Sequence, residues 1–147
     1  MIIRKVKISE LDDALALVLH VFLEFEAPEY PKEGVKTFKE ILSDKNGIQQ
    51  LEMYGAYFKD KIVGVIATRN NGTHISLFFV DSSYHRQGIG SALFQTLLHN
   101  LTISELTVNS SPYAVAVYKR FGFEATDTEQ LKDGIRYTPM LYKNHTP

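Results

Sequence analysis

Apolar positions along the chain change their period several times, and each change marks an element. Ile2 to Ile8 reads as a short strand, after which Ser9 precedes Glu10-Leu11-Asp12-Asp13, a hydroxyl cap followed by an acidic first turn. Leu11, Leu15, Val18, Phe22 and Phe25 then fall at helical spacing, and Ala27-Pro28-Glu29-Tyr30-Pro31 stops that helix. A second helix is predicted from about Glu33 to Leu42, turning Val35, Phe38, Ile41 and Leu42 inward, with Gly34 near its start. Three strands follow at about Met53–Phe58, Ile62–Thr68 and Thr73–Val80. Lys59-Asp60-Lys61 and Arg69-Asn70-Asn71-Gly72 separate them, and Asn-Gly is a strong hairpin signal, so the three form an antiparallel meander.

The second half alternates differently. A helix from Gly90 to about Asn100 carries Ala92, Leu93, Leu97, Leu98 and Leu101 on its apolar face. A strand near Glu105–Val108 and a helix from about Tyr113 to Phe121 come next, then a closing pair near Phe123–Thr126 and Ile135–Tyr142. The polar stretch Asp127–Gly134 reads as a loop at the sheet edge. A meander followed by helical crossovers predicts an α/β (α+β) fold with a mixed, largely antiparallel sheet and helices on both faces. Residues 1–147 form one domain, with no repeat or linker, and a chain of this length buries enough surface for a real core.

Composition mainly excludes. With 44% hydrophobic and 22% charged residues, the chain has an ordinary globular composition. Its net charge of −1 gives no electrostatic reason to expect nucleic acid or an acidic membrane as a partner. There is no cysteine, hence no disulfide, thiolate metal site or cysteine nucleophile. No two of the five histidines have metal-ligand spacing, so no metal is expected, and His20 and His74 read as structural. The start lacks a long apolar run and no stretch approaches a membrane span, which predicts a cytoplasmic protein. The sequons at Asn71-Gly72-Thr73, Asn100-Leu101-Thr102 and Asn144-His145-Thr146 then carry no weight.

The candidate chemistry gathers in the stretch Phe78-Phe79-Val80-Asp81-Ser82-Ser83-Tyr84-His85-Arg86-Gln87-Gly88-Ile89-Gly90-Ser91, which passes from a strand through a glycine turn into a helix. Gly88 and Gly90 let the backbone approach a bulky ligand, and a helix N-terminus offers unpaired amides and a favourable dipole to a phosphate. Arg86 adds a positive charge. A Walker loop would need Lys-Ser/Thr after its last glycine, where this chain has Ser91-Ala92. A dinucleotide fingerprint would need a small residue where Leu93 stands.

This stretch resembles the acetyl-CoA loop of the Gcn5-related N-acetyltransferases, Gln/Arg-x-x-Gly-x-Gly/Ala after a strand ending Val-Asp-Pro. Here it stands as Val80-Asp81-Ser82 and His85-Arg86-Gln87-Gly88-Ile89-Gly90, with His85 at the Gln/Arg position and Ser82 replacing the proline. The stretch from Thr107 to Phe123 is similar to the same family's second segment, a strand leading to a helix that ends Tyr-x-x-x-Gly-Phe. Tyr118 stands four residues before Gly122, and Ser111 occupies a position where many members have asparagine, with Asn109 two residues earlier.

The resemblance implies acetyl-CoA as cosubstrate, held by Phe78, Phe79 and Val80, by His85, Arg86, Gln87, Gly88, Ile89, Gly90 and Ser91, and by Asn109 and Ser111. It implies Tyr118 as the acid that protonates the departing sulfur, and a backbone N–H near Phe79 or Val80, where this strand splays from its neighbour, as the oxyanion donor. Homodimers are common among such proteins, although no stretch of the sequence marks an interface. A CoA-binding regulatory module without turnover would share the loop; the presence of Tyr118 speaks against it.

Elementary chemistry fixes what the rest of the site must do. An alkylamine has a pKa near 10.4 and a thiol about 8.5, so freeing the amine at neutral pH costs roughly 4.6 kcal/mol without help, while assisting the thiolate costs about half that. A general base therefore matters most. Glu24, Glu26 and Glu29 cluster at the end of the first helix; Glu24 and Glu26 are the candidate bases, and the cluster favours a polyamine-like or other cationic amine, with a protein amine also open. A solvated helix end is the plainer reading of the cluster, Asp81 is open to the same doubt as a loop cap, and a water relay to a distant carboxylate remains available.

Overall fold

The computed structural model describes residues 1–100 and 104–143. Leu101 of the expected helix face, Thr102 and the sequon Asn144-His145-Thr146 lie outside them. The opening meander runs β1 (Ile2–Lys5), β2 (Glu52–Phe58), β3 (Lys61–Arg69) and β4 (His74–Val80), each antiparallel to the next. Its turns hold Lys59 and Asp60, then Asn70, Asn71 and Gly72, all at positive φ. Such turns match the right-handed twist of paired strands.

Helix α4 (Ile89–His99) crosses over to β5 (Glu105–Ser110), which lies parallel to β4. After α5 (Val115–Phe121), the strands β6 (Glu124–Ala125), β7 (Gln130–Lys132) and β8 (Ile135–Lys143) complete a sheet of order β1-β2-β3-β4-β5-β8-β6, with β7 paired to β8. The stretch expected as an edge loop is thus partly a hairpin, turned by Asp133 and Gly134 at positive φ.

Helices α1 (Leu11–Phe25) and α2 (Lys32–Ser43) cover one face of the sheet, α4 and α5 the other. The first strand is shorter than expected, because Ile8–Glu10 turns into a 3-10 helix whose Glu10 carboxylate accepts the Lys7 N–H and pairs with Arg4 at 2.8 Å. On α1 the buried stripe is Ala14, Leu17, Val18, Val21 and Phe22, with Leu15 and Phe25 on its margins. Val35, Phe38 and Leu42 of α2 pack inward as expected, but Ile41 is 50% exposed. A further short helix, α3 (Lys45–Gln49), follows α2, with the Asp44 side chain accepting the Gly47 N–H at 3.2 Å.

Two bulges decide which side chains meet. Ala67 pairs with Leu77 and Thr68 with Ile75, leaving Ser76 as the extra residue of β4. That single insertion reverses the alternation: Leu77 and Phe79 face α1, whereas Ile75 joins the core under α4. A second irregularity, between Ala56 and Tyr57 of β2, does the same for Val63 of β3. The hydroxyls of Thr68 and Ser76 at the β4 bulge are buried without a hydrogen-bond partner among the described residues.

Candidate active site

The sheet splits between β4 and β5. Only His74 with Thr107 and Ile75 with Val108 are paired across it, although β4 continues to Val80 and β5 to Ser110. Beyond Ile75 the facing edges carry backbone groups with no strand opposite, which is where an extended ligand arm can replace a neighbouring strand.

One cavity, about 420 Å³, opens from this split toward the glycine loop. Phe78, Phe79 and Val80 line its strand side; His85, Arg86, Gly88, Ile89 and Gly90 line its loop side. Gly88 is the residue before α4 and has φ 79°, and the first helical bond runs from the Ala92 N–H to the Gly88 carbonyl. The amides of Ile89, Gly90 and Ser91 therefore have no partner inside the helix and sit at its positive end. Arg86, itself at φ 64°, and Arg120 of α5 both line the cavity. This combination fits a diphosphate. Gln87 and Ser91 have exposed side chains outside the lining, so Ser91 offers its amide rather than its hydroxyl.

His85 behaves differently from a free donor. Its Nε2 lies 2.8 Å from the Val80 carbonyl oxygen, an acceptor only, so the ring donates there and ties the loop back to β4. The Phe25 ring sits between His85, at 5.3 Å, and Tyr113, at 5.1 Å, joining the two loops that flank the split. Asp81 accepts the Ser83 N–H at 2.9 Å, a loop cap.

A second cavity, about 530 Å³, opens from the other side of the split beneath α1, α2 and α3. Asn109 and Ser111, where β5 ends beside the split, line this one and not the loop-side cavity. Ser111 Oγ accepts the Ala114 N–H at 3.2 Å and so shapes the entry to α5. The two cavities share Glu26, Phe78, Phe79, Ala114 and Tyr118 in their linings.

Glu26 ends α1, its N–H donating to the Phe22 carbonyl at 2.9 Å. Burial pushes its carboxyl up to about 7; the Ser111 hydroxyl pulls it down and the nearby Glu29 adds to the rise. A carboxylate at a helix C-terminus is also disfavoured by the helix dipole. Of the three clustered acids, Glu26 alone reaches a cavity: Glu24 and Glu29 are exposed and line neither. Glu24 is therefore not at the site, because one further residue along α1 turns the side chain by about 100° and two turn it to another face.

Tyr118 is 6% exposed, its ring set edgewise against Phe78 at 6.1 Å and Phe123 at 5.2 Å. Gly122 at φ 104° closes α5, and the Phe123 N–H returns to the Tyr118 carbonyl at 3.0 Å, fixing where the ring projects. Burial, then the Glu26 charge, raises its phenol above the ordinary value, so the hydroxyl keeps its proton. His74 is no ligand: its ring bonds Thr107 Oγ1 at 2.8 Å, and burial with nearby Arg69 lowers it to about 4. Among the described residues no cluster of metal-ligating side chains occurs and no helix is long and apolar enough to cross a membrane.

Arg120, Tyr30 and Ser76 also line these cavities and were not singled out by the sequence, and Ile41, expected in the core, lines one of them. Only Ser76 left a signal, a polar residue interrupting the apolar run from Ile75 to Val80.

A split sheet with an anion-ready helix start on one side and a carboxylate and a phenol at its junction defines a class: proteins that bring two ligands together from opposite sides. This chain belongs to the GNAT acetyltransferase family, the model of the "Acetyltransferase (GNAT) domain" matching residues 26–143. It is 22% identical over 147 residues to the "Uncharacterized N-acetyltransferase YafP" of Escherichia coli (strain K12), covering 99% of this chain and 95% of that one. Its fold is similar to a GCN5-related N-acetyltransferase from Rhodopseudomonas palustris, with TM-score 0.84 and 17% identity over 97% of this chain and 94% of that chain. It is also similar to the PaiA N-acetyltransferase from Thermoplasma acidophilum in complex with coenzyme A, with TM-score 0.77 and 18% identity over 97% and 98% of the two chains.

Proposed function

We propose that this protein transfers the acetyl group of acetyl-CoA to a primary amine. The observation that carries the reading is the meeting of the two cavities at Glu26 and Tyr118. The amides of Ile89, Gly90 and Ser91, with Arg86 and Arg120, bind the diphosphate from the loop side; charge-assisted bonds of this kind are worth roughly 1.5–3 kcal/mol each. The free edges of β4 and β5 hold the extended arm, which supplies the thioester. The amine enters from the second cavity.

Glu26, poised near neutrality, takes a proton from the bound ammonium, and the low-dielectric cavity favours that neutralisation. The amine nitrogen then bonds to the thioester carbonyl carbon. Backbone N–H groups on the free edge of β4 stabilise the oxyanion. As the carbon–sulfur bond breaks, Tyr118 donates its proton to the departing sulfur, and the second proton of the acylated nitrogen passes to the Tyr118 phenolate and restores the phenol. Glu26 returns the amine's proton to solvent.

Thermal unfolding with acetyl-CoA, CoA and NAD in parallel tests the binding half. At a hundredfold excess over its dissociation constant, a true ligand stabilises the protein by about 2.7 kcal/mol. Both CoA compounds should do so and NAD should not. Release of free thiol from acetyl-CoA in the presence of amines tests the chemistry. Stabilisation by CoA with no thiol release from any amine would leave a binding module without turnover.

A further inference from the structure

The acceptor-side cavity carries information about what enters it. The side of its wall under α1 and α2 is aromatic: Phe22 and Phe38 stack at 3.9 Å, Tyr30 lies 5.5 Å from Phe22, and Phe79 lies 6.0 Å from Phe38, while Ser76, Asn109 and Ser111 line the strand side. Ile41, on the strongly amphipathic helix α2, is half exposed and yet belongs to this lining, so its apolar side chain faces the cavity instead of the core.

Charge is sparse and mixed. Glu26 stands at the junction with the loop-side cavity. The other charged lining residues are Asp44, whose carboxylate caps α3, and Arg69, beside a His74 that burial keeps neutral. Glu24 and Glu29 are exposed and outside the lining, although the Glu29 charge still bears on Glu26 and Tyr30, where Arg136 opposes it at Tyr30. Beyond the acid at the reacting end, the lining charges of Asp44 and Arg69 oppose each other, so the lining leaves no second anionic partner, and a second ammonium would lose hydration against the aromatic side.

Resting on the acetyl-transfer reading, we infer that the acceptor is a primary monoamine on an aromatic or branched aliphatic body, an arylalkylamine-like compound, and not a polyamine. The ammonium meets Glu26 and the body lies along Phe38, Tyr30 and Ile41.

The test compares 2-phenylethylamine and isoamylamine with putrescine and spermidine, following thiol release from acetyl-CoA, for the parent protein and for Ile41→Asp. Apolar monoamines should exceed the polyamines in kcat/KM by at least about tenfold, the discrimination that a few methylene contacts provide. Ile41→Asp should erase that preference and leave stabilisation by CoA unchanged, since Ile41 is remote from the loop-side lining. Equal or faster turnover of polyamines, or a preference that survives Ile41→Asp, overturns the inference while acetyl transfer stands. Should no amine turn over, saturation-transfer NMR on the CoA complex separates the two ideas. A signal from 2-phenylethylamine and none from putrescine upholds the ligand class as the transfer reading falls. A signal from neither, or from putrescine alone, overturns it.

Discussion

Glu26 and Tyr118 line both cavities, and the charge of Glu26 holds the Tyr118 phenol in its protonated form. On the acetyl-transfer reading, the group that takes up and releases the amine's proton does so near neutrality, and the group that donates to sulfur is held protonated until the carbon–sulfur bond breaks. That division of labour follows from burial acting on a carboxyl and a phenol in the same direction.

Glu26→Gln should lower kcat/KM at pH 8 by about 10²-fold, in the range for losing a general base. In the parent protein kcat/KM for a fixed amine should rise tenfold per pH unit up to about 7 and then level, and the variant should lack that limb. Stability should move the opposite way. A carboxyl whose folded pKa is raised above the unfolded value stabilises below pH 4.5, and that contribution is lost as pH rises through about 7. At pH 8 the parent bears the cost of a buried charge, so Glu26→Gln should be about 1–2 kcal/mol more stable by urea denaturation, with no such gain at pH 4.

Tyr118→Phe keeps the ring between Phe78 and Phe123 and removes the proton donor. kcat should fall by about 10²-fold, with CoA affinity little changed. Single-turnover measurements with a more acidic thiol ester should recover part of the loss, because a better leaving group needs the donor less.

The two loop glycines should respond oppositely to alanine. A Cβ on Gly88 meets nothing within 4 Å, yet φ is 79°, so Gly88→Ala should cost about 1–2 kcal/mol through backbone strain and weaken CoA binding with it. At Gly90 the added Cβ would touch Phe78 and Val80 at 3.8 Å, an ordinary contact inside a helix. Gly90→Ala should therefore stabilise the free protein by up to about 0.8 kcal/mol. Calorimetric titration with CoA then reports whether the ligand needs the space at Gly90.

Gly34 of α2 and Gly134 of the β7–β8 turn touch backbone to backbone: a Cβ on either would overlap the main chain of the other. Thr37 Oγ1 donates to the Asp133 carbonyl at 2.7 Å beside them. Gly34→Ala should cost about 1–3 kcal/mol, the usual range for overpacking, and hydrogen exchange should speed up in Gln130–Tyr137. Stabilisation by CoA should persist, because neither glycine lines the loop-side cavity.

Long elements with a clear period were legible: the meander, α1, α2, α4 and β5 lie within a few residues of where the apolar pattern predicted them. The short ones were not. Helix α3 has five residues and β7 three, too few for a period to show, and both depend on tertiary partners, Ile48 in the core and β8 alongside. Asp133-Gly134 was the available hint for the hairpin, hidden in a polar stretch. At the site, the glycine loop was marked by its local spacing and Tyr118 by the family resemblance, and both line the cavities. Glu24 and Glu26 could not be separated, since two residues on a helix end differ only in the direction they face. Which of the two cavities Asn109 and Ser111 border could not be read from the sequence either: that depends on how far the two strands stay paired, and sequence does not mark the last pair at Ile75 and Val108.

The two cavities draw their walls from different parts of the chain. The loop-side wall comes mostly from residues 78–90 and 113–121, while the acceptor-side wall draws heavily on residues 22–51 and on Ile135. On the acetyl-transfer reading, substitutions in α2 and α3 recast the choice of amine without disturbing how the acyl donor is held, because residues 32–51 contribute nothing to the loop-side lining while Phe25 and Glu26 stay in place.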